Sequence, residues 1–498
     1  MLFLELPSPP GKNVIREPFG GFGRVLPSKR KRFGFDKSIV AFQPIFPAYT
    51  ATILEKQGYD CNIIDAQVLD LDLPELLREV EKIEPDAVVA RISLPAAKEE
   101  LKIMAQIKDL CRKVITIGWG AICRVEPDKV ILQSRIDFVI RDELEFTLPL
   151  LIKKVENGES FSEVPGITFR KGHKIVSNPS GPFIMNLDVL PIASYHLLQM
   201  DKYFKEGSLL LPGVLKKGIF RYSGIYSSRG CSYNCVYCGN PVALGPWRAM
   251  SPTRIVDEVE FLIKNYDVKV IRFMDPCFNM DVNRAEKICD EIINRNLDFY
   301  WTCEARADKL TRQLVRKMKT AGCSRIELGV ETGDPNLLEN IGKRGCNLSN
   351  IKKAFRLAQI EGISTCAFLM VGLPGESWKT VQNTKKLLKE IKPNNISISI
   401  VTPFPGTPLY EMAEQNGWLL TTEWENYTAR DPVTSLPGFS CNDMKKAFMY
   451  LNGAAFIKYG LREVARSLQG FDLITLIRQS SSGLRHIYNM IECWFKGE

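Results

Sequence analysis

The sequence predicts an α/β protein: a doubly wound parallel sheet at the N-terminus, six further βα units, and a helical C-terminal tail. Three observations carry this. Short apolar runs alternate with amphipathic stretches over residues 1–160, and the pattern repeats over residues 216–420. The amphipathic stretches show helical spacing of their apolar residues. Glycine, proline and acidic residues collect where the strands should end, which is where open parallel sheets bind ligands. A chain of 498 residues has room for two or three domains, and 45% hydrophobic with 25% charged residues is an ordinary globular composition. The net charge of +9 suits an anionic ligand or surface without demanding nucleic acid.

In the first block the strands are expected at Leu2–Leu6, Cys61–Asp65, Ala87–Ile92, Val114–Gly118 and Ile136–Ile140. Helices are expected near 47–57, 73–83, 96–112, 126–133 and 144–156; in the third, Leu101, Met104, Ile107 and Leu110 form one buried face. The strand ends carry Pro9-Pro10-Gly11, Asp65-Ala66, Ser93-Leu94-Pro95, Gly118-Trp119-Gly120 and Arg141-Asp142-Glu143-Leu144-Glu145. The basic run Lys29–Arg32 follows the glycine-rich Phe19–Gly23; it reads as a solvated loop or as a contact for a phosphate-bearing ligand. In the second block the strands are expected at Gly224–Ser228, Val268–Met274, Asp298–Cys303, Arg325–Val330, Ser364–Val371 and Ile396–Val401. Its helices fall near 251–265, 282–296, 308–321, 347–361 and 376–391. In the tail, Met444, Phe448, Leu451, Ala455 and Tyr459 form an apolar stripe, and Lys445, Lys446, Lys458, Arg462 and Arg466 a basic surface. Such a helix can pack on the second block, close it over a substrate, or touch an anionic membrane peripherally.

The chemical signal is the loop after Gly224–Ser228, where Cys231, Cys235 and Cys238 are spaced C-x3-C-x2-C. A cubane iron–sulfur cluster has four irons and is normally held by four cysteines. Three thiolates leave one iron open to bind and activate a small molecule. Zinc would need a fourth ligand, and His173, His196 and His486 all lie far from the loop in sequence. No leader opens the chain, and its 14 scattered cysteines read as reduced thiols, so a cytoplasmic setting is expected. None of the other cysteines forms a second C-x2-C; Cys277 and Cys303 stand out at strand ends. The loop, with Tyr237 just before its last cysteine, resembles the radical S-adenosylmethionine (SAM) superfamily, and the six βα units resemble that family's partial barrel. The resemblance implies a 4Fe-4S cluster on Cys231, Cys235 and Cys238. It implies SAM contacts from Tyr237, Asp275, Glu331, Gly372 and Pro374, with Glu331 inside Leu328-Gly329-Val330-Glu331-Thr332-Gly333 and Gly372 inside Gly372-Leu373-Pro374-Gly375-Glu376. Asp275 replaces the usual acidic end of the second strand, and Arg306 and Arg248 match familiar positions. For the carboxylates, helix capping or surface charge is the plain alternative.

The first block, with Val164–Thr168 and Asn186–Pro191 near its end, resembles the cobalamin-binding domain that precedes many radical SAM domains. That resemblance implies cobalamin contacts from Pro10, Asp65, Ser93, Gly118, Gly120 and Glu143. The chain departs from the family at Gly118-Trp119-Gly120-Ala121 and at Asp142-Glu143-Leu144-Glu145. No histidine precedes His173, so a lower cobalt ligand cannot come from a histidine in the first 172 residues. The implied division is a cobalamin-type domain at 1–180, a linker at 181–215, a barrel at 216–420 and a helical region at 421–498. The implied activity is a cobalamin-dependent C-methyltransferase acting through a 5′-deoxyadenosyl radical on a small-molecule or lipid substrate. An electron donor such as flavodoxin or ferredoxin would feed it. Oxidative cyclisation or carbon–carbon bond formation on a tetrapyrrole, lipid or natural product is the alternative reaction. A non-catalytic iron–sulfur or cobalamin sensor is the alternative from another class.

Overall fold

The computed structural model describes residues 1–10, 12–15, 24–27, 42–206 and 221–455. The Phe19–Gly23 and Lys29–Arg32 runs lie outside the described residues, as do Lys458, Tyr459, Arg462 and Arg466 of the tail.

Strands β1 (Leu2–Glu5), β2 (Asn62–Asp65), β3 (Ala87–Arg91), β4 (Ile115–Trp119) and β5 (Phe138–Ile140) form a parallel sheet in the order β2-β1-β3-β4-β5. Alternate side chains enter two different cores, as the strand period of two requires. Phe3, Val89, Ile117 and Phe138 join the core under helices Ile45–Glu55 and Leu144–Glu156. Leu2, Leu4, Val88, Ala90 and Val139 join the other, under helices Leu73–Ile83 and Ala97–Leu110. The helix starts are written locally: Asp72 and Glu75 make a reciprocal capping box, with Pro74 in the first turn. Beyond β5 the sheet continues as an antiparallel hairpin, β6 (Ile167–Lys171) and β7 (Lys174–Ser177), turning at Gly172 with φ +61°. The expectation of a wholly parallel sheet therefore holds for five strands and gains a hairpin edge.

The second sheet is parallel throughout and in chain order: β8 (Tyr222–Ile225), β9 (Val270–Phe273), β10 (Tyr300–Ala305), β11 (Cys323–Glu331), β12 (Ser364–Val371) and β13 (Asn395–Ile400). These are the six expected strands, displaced by no more than three residues at their ends. The free edge of β8 is capped by the Gln43 amide: its Nε2 donates to the Tyr222 carbonyl at 3.0 Å and its Oε1 accepts from the Gly224 N–H at 3.1 Å. A segment of the first lobe thus occupies a strand edge that would otherwise be unpaired.

The first core runs without a break from the first sheet into the barrel. At the junction Glu258, on helix Pro252–Tyr266, is completely buried. It accepts from the Tyr49 hydroxyl at 2.9 Å, the Tyr195 hydroxyl at 2.8 Å and the Arg254 guanidinium at 3.0 Å. First lobe, connecting segment and barrel therefore share one buried carboxylate. The tail region is irregular over much of 421–440 and helical over Cys441–Ala455. Trp424 returns to the first lobe, where its indole N–H donates to Glu126 at 2.5 Å. In the helix Met444 and Leu451 are buried. No helix among the described residues is long and apolar enough to cross a membrane.

Glu258→Ala would leave two buried hydroxyls and a guanidinium without their acceptor. Its expected cost is about 3 kcal/mol, read as a lower urea midpoint, whereas Tyr49→Phe should cost about 1 kcal/mol.

Candidate active site

At the junction of the two lobes, Gly120 after β4 and Glu143 after β5 face Arg229 and Leu244 of the barrel. The cluster loop leaves the barrel just after β8. A two-residue antiparallel ribbon, Ser228–Arg229 with Arg248–Ala249, closes its neck, and all three cysteines lie inside it. The neck is tight: a Cβ at Gly230, whose φ is +72°, would come within 2.2 Å of the Pro246 carbonyl oxygen. At its far side the loop rests on the turn after β11, with the Val236 N–H donating to the Ile341 carbonyl at 3.0 Å. Arg306, just after β10, lies 3.5 Å above the Tyr233 ring, donates to Asp308 at 2.9 Å, and donates to the Arg344 carbonyl at 2.7 Å.

Burial raises all three thiols; Cys238 is pushed up to about 12, with Cys235 and Cys231 adding to the shift. The three groups are thus in mutual electrostatic reach. No three Cys, His, Asp or Glu side chains among the described residues converge tightly enough for a single metal ion. Three thiols in one loop suit a cluster with one iron left open, whereas a structural zinc ion takes four ligands. Iron would hold as thiolates groups that burial otherwise keeps protonated.

Glu331, at the end of β11, has φ +60°, a left-handed conformation that costs a non-glycine residue on the order of 1–3 kcal/mol. A register shift against β12 accompanies it. What holds it is Lys343, almost fully buried, which donates to Glu331 at 2.5 Å and to the Gly329 carbonyl at 2.7 Å. A Cβ at Gly329 would overlap both groups, at 2.5 and 2.6 Å. Burial works against the Lys343 charge, but Glu331 outweighs it and the amine is raised. Burial first and Glu331 second also push the Tyr237 hydroxyl up. Sequence reasoning passed over Lys343; it lies twelve residues beyond Glu331, past an intervening helix, with no local signal for the contact.

Asp275 is fully buried after β9, and its carboxylate accepts from the Ser227 N–H at 2.7 Å and from the Ser227 and Ser228 hydroxyls at 2.5 and 2.6 Å. It holds the start of the cluster loop against β9. Gly372 has φ +96°, and a Cβ there would meet Met444 of the tail helix at 2.9 Å. Pro374 is half-buried in the same turn. Glu376 closes this turn by accepting from the Gly372 and Leu373 amides.

The first-lobe positions divide. Gly120 and Glu143 line a small crevice against the barrel, with Arg229 and Leu244 on its other wall. Arg124 leads from it into a larger cavity of about 750 Å³ beside Cys231. Asp65 is taken up by the Tyr203 hydroxyl at 2.8 Å and two backbone amides. Ser93 is buried, its N–H donating to Glu100 at 2.5 Å. Gly118 is packed by Ile136 and Ile92, and Pro10 is exposed. Glu143 itself accepts from Arg229 at 2.9 Å and from Arg248 at 2.8 Å. These contacts engage Asp65, Ser93 and Glu143 inside the protein, and Gly118 is enclosed by packing.

The family model described as the radical SAM superfamily matches residues 225–388. An uncharacterised methyltransferase of Pyrococcus horikoshii is 30% identical over 421 residues, covering 84% of this chain and 88% of the relative. The chain belongs to the radical SAM superfamily. An anaerobic magnesium-protoporphyrin IX monomethyl ester cyclase of Rubrivivax gelatinosus is 25% identical to this radical SAM protein, over 78% of this chain and 69% of the relative. Among solved structures, the cobalamin-dependent SAM radical enzyme OxsB, with aqua-cobalamin and SAM bound, superposes with a TM-score of 0.71 at 17% identity, covering 89% of this chain and 68% of that one. The radical SAM methyltransferase TsrM of Kitasatospora setae gives 0.64 at 19% identity, over 76% and 74% of the two chains. These two likenesses establish the shared two-lobed fold.

Burial pushes the Glu376 carboxyl up to about 7 from an ordinary 4.5, against the pull of its two amide donors. A carboxyl that binds its proton more tightly folded than unfolded favours the folded state at low pH, and that advantage fades as pH climbs from about 4.5 to about 7. Glu376→Gln should therefore gain stability relative to wild type between pH 5 and 8, by at most about 3 kcal/mol, measured as the change in the melting-temperature difference.

Proposed function

We propose that this protein is a cobalamin-dependent radical SAM C-methyltransferase acting on an unactivated carbon of a small-molecule or lipid substrate. The observation that carries the reading is the three-thiol loop at the end of the first barrel strand, in a chain 30% identical to a methyltransferase along most of its length. Cys231, Cys235 and Cys238 would hold the cluster. When bound, the cluster supplies the electron that cleaves the SAM sulfonium, and cobalamin supplies the transferable methyl group. Support for cobalamin is the two-lobed fold shared with OxsB and TsrM, together with the 750 Å³ cavity beside Cys231, of a size usual for ligand sites. Of the expected contacts, Gly120 faces this junction. Arg124 and Phe183 line its wall.

The chain's own residues supply position and shielding. Lys343 holds the Glu331 carboxylate in one orientation beside Tyr237. Gly372 permits a sharp exit from β12, and Met444 of the tail helix lies over it. The tail helix therefore covers this end of the barrel and excludes water there. Arg306 holds Tyr233, and with it the cysteine loop.

The reading is tested by anaerobic reconstitution with iron, sulfide, SAM and cobalamin, followed by product mass analysis on cell extract. A product heavier by one methyl group is the expected result; a product lighter by hydrogens would assign the chain to the cyclase reaction instead. Cys235→Ala should lose the cluster's visible absorption and all SAM cleavage; cleavage retained in that variant would overturn the site.

A further inference from the structure

The neck of the cysteine loop contains an electrostatic conflict. Arg229 and Arg248 are direct partners on the antiparallel ribbon, and both side chains are almost fully buried. Like charges facing one another across a strand pair repel, and a buried guanidinium is tolerated only when its charge is met. Nothing within the ribbon meets it: the residues between the two arginines are the loop itself, which carries no Asp or Glu from Gly230 to Trp247.

The compensation comes from the other lobe. Glu143 and Glu145 follow β5 of the first sheet. Glu143 accepts from Arg229 at 2.9 Å and from Arg248 at 2.8 Å, so one carboxylate bridges both cations. Glu145 accepts from Arg229 at 2.5 Å. Two negative groups thus meet two positive ones in an enclosed site. Burial alone would raise the Glu143 carboxyl, but Arg229 and Arg248 outweigh it and hold the group below the usual carboxylate range. Glu143 also accepts from the Ile184 N–H at 2.6 Å, and Arg248 donates to the Ile184 carbonyl at 3.2 Å, so the connecting segment is tied into the same knot. The remaining Arg248 hydrogen bonds run to the Leu244 and Pro246 carbonyls, inside the cysteine loop. Arg229 stands two residues before Cys231.

We propose that Glu143 and Glu145 are positioning residues for the iron–sulfur cluster: by neutralising the opposed arginines they close the neck of the loop and set the spacing of its cysteines. The first lobe is then part of the cluster-binding apparatus, whatever else it binds. This rests on the assignment of the cluster to Cys231, Cys235 and Cys238, and is independent of cobalamin and of methyl transfer.

The test uses the full chain, reconstituted anaerobically with iron and sulfide, with iron per folded chain, retention against a chelator, and the electron paramagnetic resonance spectrum of the reduced cluster as readouts. Circular dichroism and thermal melts give the folded fraction. E143Q, nearly isosteric but uncharged, should retain iron about tenfold less well and alter the spectrum of what remains, while E143D recovers most of both. E143Q/R248Q, which removes one charge of each sign, should also recover. Three results would overturn the proposal: E143Q indistinguishable from wild type, iron lost only in proportion to folded protein, or a double variant no better than E143Q. A wild-type chain that takes up no iron would instead overturn the cluster assignment itself.

Discussion

The buried guanidinium of Arg229 constrains the molecule more than any other single group. It sits between Glu143 and Glu145 of one lobe and leads, two residues later, into the cysteine loop of the other. It also lies 4.5 Å over the Phe46 ring, which belongs to the helix packed between the two lobes. A fully charged group with almost no water must find its counter-charges inside the protein. Those counter-charges are on a different sheet, so the two lobes cannot be separated without exposing or stranding them. The Glu258 knot and the continuous apolar core act in the same direction. The result is a junction in which the ends of both sheets are held in one register.

That junction explains where strain and charge accumulate. Parallel sheets present their functional loops at the carboxyl ends of strands, and these loops must leave the sheet abruptly. Glu331 does so with a left-handed backbone, and Gly372 with a positive φ of its own. The first is secured by a buried lysine, the second by a glutamate that accepts both turn amides. Asp275 performs the equivalent service after β9, tying down two serines. Asp275 and Glu376 therefore each order a turn, while Glu331 is held by Lys343 beside Tyr237.

Some of this was legible in the amino acids. Strand and helix positions follow from periodicity and capping, which act over a few residues, so the expected β8–β13 appear within three residues of their expected ends. The cysteine triad is a local spacing and needs no fold to be recognised. The β6–β7 hairpin was missed because Ile167-Thr168-Phe169 and Lys174-Ile175-Val176 are short, and the Gly172-His173 turn between them is modest. Lys343 was missed because its partner is reached only after a helix has turned the chain back. Glu143 was noticed for its place at a strand end, but its engagement with Arg229 and Arg248 depends on residues about a hundred positions away.

Two alternating α/β blocks, a three-thiol loop after the first strand of the second block, and the absence of histidine before His173 were settled by the chain alone, because pattern and spacing are properties of neighbouring residues. Which carboxylates are free and which are spent was decided by the tertiary structure. A carboxylate takes its role from the cation or amide that reaches it, and here those partners arrive from another lobe, another turn or the far side of a loop. Asp275 and Glu143 stand at strand ends in the sequence, and in the fold each ties two segments together. Lys343, which looked like nothing, holds the one strained glutamate at the mouth of the barrel.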